Sequence, residues 1–185
     1  MNDEFVTDDP ESLAIHESYE QVVETIRRNL DPHSNTVLIV DDEKSIRKKV
    51  ARDVRGCAPG LVIFEAGNGE EGLRKLADIR NKYVNDPLLI ISDLNMPVMD
   101  GWEFIKRLRE DYEARGKKSG IPMLVLSSTS GEKSVAVVMK KSVHAGKSGY
   151  VPLVTVAKET CADGSRYDAS GDKGLLDWLD HFVNG

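Results

Sequence analysis

From Thr36 onward, short apolar runs alternate with segments of helical period, and the runs stop abruptly at polar or acidic residues. Thr36-Val37-Leu38-Ile39-Val40 stops at Asp41-Asp42, and Leu88-Leu89-Ile90-Ile91 stops at Ser92-Asp93. Met123-Leu124-Val125-Leu126 stops at Ser127-Ser128-Thr129-Ser130, and Leu61-Val62-Ile63-Phe64 is a further run between the first two. Apolar runs of this length without alternation are strands buried on both faces. Helix-period segments fall between them at 43–54, 69–79, 101–112 and 131–145, with Trp102, Phe104, Ile105, Leu108 and Tyr112 marking the apolar positions of the third. A fifth strand opens at Gly149-Tyr150-Val151-Pro152-Leu153-Val154, and Pro152 places it at an edge or ends its ladder early. Residues 173–183 close the chain as a helix carrying Leu175, Leu176, Trp178, Leu179 and Phe182. The expected class is α/β, a doubly wound parallel sheet covered by helices on both faces.

The 185 residues suffice for one well-buried domain and a modest appendage. Asp9-Pro10 is a helix start, and Ile15, Tyr19, Val22, Val23, Ile26 and Leu30 recur at helical spacing before Asp31-Pro32 ends the run. Residues 1–35 are therefore expected as an amphipathic helical extension, and 36–185 as the domain. The apolar stripe of that helix could pack on the domain, or serve as a dimerisation or partner-docking surface. The net charge of −6 and basic runs of only two or three residues, such as Lys117-Lys118 and Lys140-Lys141, argue against nucleic acid as a partner. Cys57 and Cys161 have no metal-ligand spacing and read as reduced thiols. The acidic N-terminus resembles no signal peptide and no run approaches a membrane span, so a cytoplasmic location is expected. His16, His33, His144 and His181 lack partners at ligand spacing and read as surface or packing residues.

In open α/β sheets, ligands bind beyond the carboxyl ends of the strands. If the first and third strands are neighbours, Asp41, Asp42 and Asp93 converge there. Clustered carboxylates raise one another's pKa unless a cation neutralises them. A hard divalent ion such as Mg²⁺ suits that set and also accepts phosphate oxygens. The hydroxyls of Ser127, Ser128 and Thr129 could then donate to a phosphoryl group. The alternative is that these acids only cap the helices that follow, as Asp42 alone would.

Three blocks in order carry a resemblance: Val37-Leu38-Ile39-Val40-Asp41-Asp42-Glu43, Ile91-Ser92-Asp93-Leu94-Asn95-Met96-Pro97-Val98-Met99-Asp100-Gly101, and Ala145-Gly146-Lys147-Ser148-Gly149-Tyr150. Together they resemble the receiver domain of two-component response regulators, of the stand-alone chemotaxis type, over roughly residues 36–154. The resemblance implies a five-stranded parallel sheet in the order 2-1-3-4-5, an order for which a receiver is itself the standard example. It implies that Asp93 is the phosphoacceptor, and that Asp41, Asp42, Asp93 and the Asn95 backbone carbonyl hold Mg²⁺. It further implies that Ser127, five residues after Pro122, is the switch hydroxyl and Tyr150 the switch aromatic. The donor would be a sensor histidine kinase or a phosphotransfer protein, and the output an unknown protein contact, with a homodimer as one form it could take. Such a chain is a self-phosphorylating and self-dephosphorylating switch rather than a turnover enzyme.

The sequence departs from the family at one place. Receivers end the fifth strand with Lys-Pro after the Gly-Tyr segment, whereas the matching positions here are Leu153 and Val154. Residues 155–172 then read as a long connection before the last helix, with Lys158 as a solvated loop lysine. Three alternatives stand: Lys158 folds back to supply the charge, Lys147 reaches in, or the site works without it. The departure also raises a second function, a pseudo-receiver that keeps the fold as an interaction module without phosphorylation. A Mg²⁺-dependent phosphohydrolase fits poorly, because those enzymes place two acids one residue apart on the first strand, and Asp93 would have no role.

Overall fold

The protein is described by a computed structural model covering residues 35–117, 120–128, 153–169, 171 and 173–184. Labels below count the elements of those residues. The strands are β1 (Thr36–Val40), β2 (Val62–Ala66), β3 (Leu89–Asp93), β4 (Met123–Ser127) and β5 (Leu153–Ala157). The helices are α1 (Lys44–Cys57), α2 (Gly69–Tyr83), α3 (Gly101–Ala114), α4 (Lys158–Asp163) and α5 (Leu175–Asn184). The five strands form one sheet in the order β2-β1-β3-β4-β5, and every pairing is parallel. This is the expected topology.

Strict two-residue alternation sorts the strand side chains between two cores. Val37, Ile39, Leu89, Ile91, Leu124, Leu126, Val154 and Val156 pack on one face against Val50, Ala51 and Val54 of α1 and Leu175, Trp178 and Leu179 of α5. Leu38, Val40, Ile90, Met123 and Val125 pack on the other against Leu76 and Ile79 of α2 and Phe104, Ile105, Leu108 and Tyr112 of α3. Each fully buried Leu, Ile or Val contributes about 1.5–3 kcal/mol relative to exposure. With both faces covered, the carboxyl edge of the sheet remains the place where polar strand ends gather.

Helix starts match their residues. Asn68 caps α2 by accepting the Glu71 N–H (3.0 Å), and Glu71 returns the contact by accepting the Gly67 N–H (2.7 Å). Asp100 caps α3 by accepting the Glu103 N–H (2.9 Å). At α1 the N-cap is Glu43, without a side-chain cap bond, so Asp42 is not the helix cap there.

The C-terminal third differs from the sequence-based expectation. Residues 155–172 are not a structureless connection: β5 continues to Ala157, and α4 begins at once with Lys158. The apolar run Leu153-Val154-Thr155-Val156-Ala157 pairs along β4 over its whole length, and those ladder bonds extend the strand. β5 is an edge strand, one of the two outcomes expected from Pro152, and among the described residues it runs from Leu153 to Ala157. The 1–35 extension up to residue 34, the 131–145 helix, Lys147 and Tyr150 lie outside the described residues.

Candidate functional site

β1 and β3 are direct neighbours, with Val40 opposite Ser92, so Asp41 and Asp93 emerge side by side at the carboxyl edge. Asp41, Asp42 and Asp93 each offer a carboxylate oxygen, and these oxygens all lie within 4.8 Å of one another. Asp41 and Asp93 are buried and Asp42 is exposed, so the cluster has a closed floor and one open side. The floor is fixed by backbone contacts. Asp93 accepts the Leu94 N–H on Oδ1 (2.8 Å), and Asp41 accepts the Glu43 N–H on Oδ1 (2.8 Å). Arg47 of α1 donates to the Asp41 carbonyl (2.6 Å) and reaches Glu65 of β2 (3.3 Å).

Behind Asp93, Gly101 donates its N–H to the Leu94 carbonyl (2.8 Å), closing the loop from β3 into α3. A Cβ at this position would collide with the Asp93 carbonyl and stand 2.7 Å from Leu94 Cα, so only glycine lets α3 start against the end of β3. Val98 in the same loop has φ 68° and is exposed, a strained conformation for a β-branched residue.

The side chain that the sequence reading set aside sits at the centre. Lys158 donates to Asp93 Oδ2 (2.9 Å) and lies within ion-pair distance of Asp41 Oδ2 (3.2 Å) and Glu43 Oε1 (2.9 Å). Its side chain is only 15% exposed, so the expectation of a solvated loop lysine is corrected. Of the three alternatives for the absent lysine at Leu153, the described residues place Lys158 at the site, and Lys147 lies outside them. The cause is the length of β5: Ala157 stands opposite Ser127, and the next residue turns off the strand end towards Asp93. Burial opposes the charge on Lys158, but hydrogen bonds to Glu43 and Asp93 and the charges of Asp41 and Asp93 outweigh it. The ammonium is held above the usual lysine range.

Asp41 bears the cost of the cluster. Burial pushes its carboxyl up to about 6, the Glu43 N–H and Lys158 pull it down, and the Asp93 charge adds to the rise. Its Oδ2 is buried and accepts no hydrogen bond, although Lys158 is near. An orphaned buried carboxylate oxygen beside two further carboxylates is a donor set that fits a hard divalent cation.

Ser127 is buried at the end of β4, between β3 and β5, at the same edge of the sheet as the acid cluster. Asn95 is exposed in the loop after Asp93, and its Nδ2 lies 3.5 Å from Ser128 Oγ across the β3 and β4 ends. Glu43 and Arg47 received no role from the sequence. The available signal was position: Glu43 directly follows Asp41-Asp42 at the helix start, and Arg47 lies one turn further on.

A sheet of this order, with three acids and a lysine at its carboxyl edge, defines an α/β module with an acidic site at the strand ends. Residues 37–152 match the family model described as the response regulator receiver domain, and the chain belongs to that family. It is 32% identical over 144 residues to the nitrate/nitrite response regulator protein NarL of Escherichia coli K12, covering 78% of this chain and 59% of NarL. The chain thus spans less than two thirds of the length of that relative. Among solved structures, the phosphorylated cyanobacterial phytochrome response regulator RcpA is similar in fold (TM-score 0.52, 18% identity, 79% of this chain and 89% of that one). So is the receiver domain of Saccharomyces cerevisiae Ssk1, solved with the histidine phosphotransfer protein Ypd1 (TM-score 0.50, 20% identity, 66% and 78% covered). No helix among the described residues is long and apolar enough to cross a membrane.

Proposed function

We propose that this chain is a phosphorylation switch in which Asp93 accepts a phosphoryl group from a histidine kinase or phosphotransfer protein, with Mg²⁺ as cofactor. The observation that carries the reading is the convergence of Asp41, Asp42 and Asp93 within 4.8 Å, with the Lys158 ammonium on Asp93. Asp41, Asp42, Asp93 and the Asn95 carbonyl would hold the metal. When bound, Mg²⁺ neutralises charge that builds on the transferring phosphoryl oxygens.

The chain's own residues do the rest. A carboxylate oxygen of Asp93 attacks phosphorus in line as the P–N bond of a phosphohistidine breaks, and the leaving imidazole takes a proton from solvent. Lys158 balances the added negative charge from within 3 Å of the attacking carboxylate, on the buried floor of the site. The new phosphoryl oxygens are acceptors for the Ser127 hydroxyl and for Lys158. Drawing those groups in biases a two-state loop, whose second reporter is Tyr150, and so alters a protein-contact surface. The activity is a stoichiometric switch with self-dephosphorylation, not turnover of a substrate.

A pseudo-receiver, the second reading, drew on Leu153 and Val154 standing where a lysine was expected and on the rebuilt final connection. The Lys158 ammonium on Asp93 supports the switch against the first of these grounds. The test is incubation with Mg²⁺ and a small acyl phosphate, followed by intact mass. One phosphoryl increment is expected, lost in Asp93→Asn and on chelation of the metal; its absence in the wild type with Mg²⁺ bound would overturn the proposal.

A further inference from the structure

Lys158 is aimed by an unusual corner. It is the first residue of α4, a helix of six residues whose N-cap, Ala157, has no side chain to cap it. A helix this short does not hold itself. Something outside must fix the direction in which β5 leaves the sheet.

Thr160 is fully buried one residue beyond Glu159, and its hydroxyl donates to the Ala157 carbonyl (2.7 Å). A threonine bonding back to its own preceding turn is common and by itself says little. Here the same oxygen also accepts the Leu175 N–H at the start of α5 (3.3 Å), so it joins two elements. The α5 side of the junction is built to reach it. Gly174 lies so close that a Cβ there would stand 2.9 Å from Thr160 Cβ and 2.6 Å from the Ser165 carbonyl. Gly174 also donates its N–H to the Arg166 carbonyl (2.6 Å), closing the excursion between α4 and α5. Behind it, Leu175, Trp178 and Leu179 are buried in the sheet core, so the anchor is the rigid part of the domain.

We infer that Thr160 is a positioning residue for phosphoryl transfer: its hydroxyl ties the last carbonyl of β5 to the start of α5 and so holds the Lys158 ammonium at Asp93. The inference rests on the proposed switch. It explains how a lysine that opens a helix can be as fixed as a strand residue: the corner is locked from the C-terminal helix.

The experiment measures the rate of Asp93 phosphorylation by a small acyl phosphate in saturating Mg²⁺, on the full chain, for the wild type and four variants. Thr160→Val keeps the shape and deletes the hydroxyl; it should slow phosphorylation roughly threefold to tenfold, the scale of one hydrogen bond. Thr160→Ser should restore the wild-type rate. In a Lys158→Gln background, Thr160→Val should have no further effect, because the side chain it positions is gone. An equal loss in both backgrounds would show a merely structural residue and overturn the inference. If the wild type is not phosphorylated at all, the proposed switch itself fails, a distinct outcome. Should Thr160→Val not fold, the wild type decides. Its Leu175 amide should exchange more slowly with solvent deuterium once Asp93 is phosphorylated and Lys158 engaged, and unchanged exchange there would overturn the inference.

Discussion

At the scale of single residues, Asp41 sets the pH behaviour. Its native carboxyl is raised to about 6 from an ordinary 3.8, chiefly by burial. Between those values the folded chain holds more protons than the unfolded chain, so stability falls as pH rises from about 4 to about 6. The metal-free protein should therefore melt at a lower temperature at pH 7 than at pH 5. Mg²⁺ requires the ionised carboxylate, so its affinity should climb through pH 6 and then level off, as followed by calorimetric titration. Asp41→Asn keeps the Oδ1 acceptor for the Glu43 N–H and removes the charge. It should stabilise the metal-free protein at pH 7 by about 1 kcal/mol and abolish metal binding. Unchanged melting across the pH window would show that Asp41 is not the strained acid.

At the scale of elements, the strand ends and helix starts were readable because each is decided locally. Apolar runs ended at Asp41, Asp93 and Ser127, and caps such as Asp100 stand directly before their helices. Lys158 stayed one of three alternatives for a reason that is not local. Leu153-Val154-Thr155-Val156-Ala157-Lys158 has the same form as the other strands, an apolar run stopping at a charge, but Gly149-Tyr150 drew the strand start earlier. Only the pairing with β4, which puts Ala157 opposite Ser127, fixes where the strand ends. The hydroxyl of Thr160 was illegible for the same reason, since its second partner lies at the start of α5. A different local feature invites a direct check: α2 ends at Val84 in the left-handed region (φ 54°), with the side chain exposed. Glycine is the residue suited to that C-cap position. Val84→Gly should stabilise the protein by roughly 0.5–1 kcal/mol in urea unfolding, with phosphorylation unaffected. A loss of stability would mean that α2 does not end in this conformation.

At the scale of the molecule, two cores hold the sheet from opposite faces, and the polar strand ends meet where neither core reaches. The order β2-β1-β3-β4-β5 sets β3 between the strands that deliver Asp41 and Ser127, and β5 brings Lys158 in from beyond Ser127. Asp93, the acids Asp41 and Asp42, Ser127 and the Lys158 ammonium thus come from four strand ends of one sheet, and the proposed chemistry at Asp93 draws on all of them. The most direct test is to phosphorylate the full chain in Mg²⁺, trap the acyl phosphate with borohydride, and map the reduced residue by peptide mass. Reduction of Asp93 alone to homoserine is the predicted result; trapping at another carboxylate, or none in metal-loaded protein, would contradict the assignment of Asp93 as acceptor.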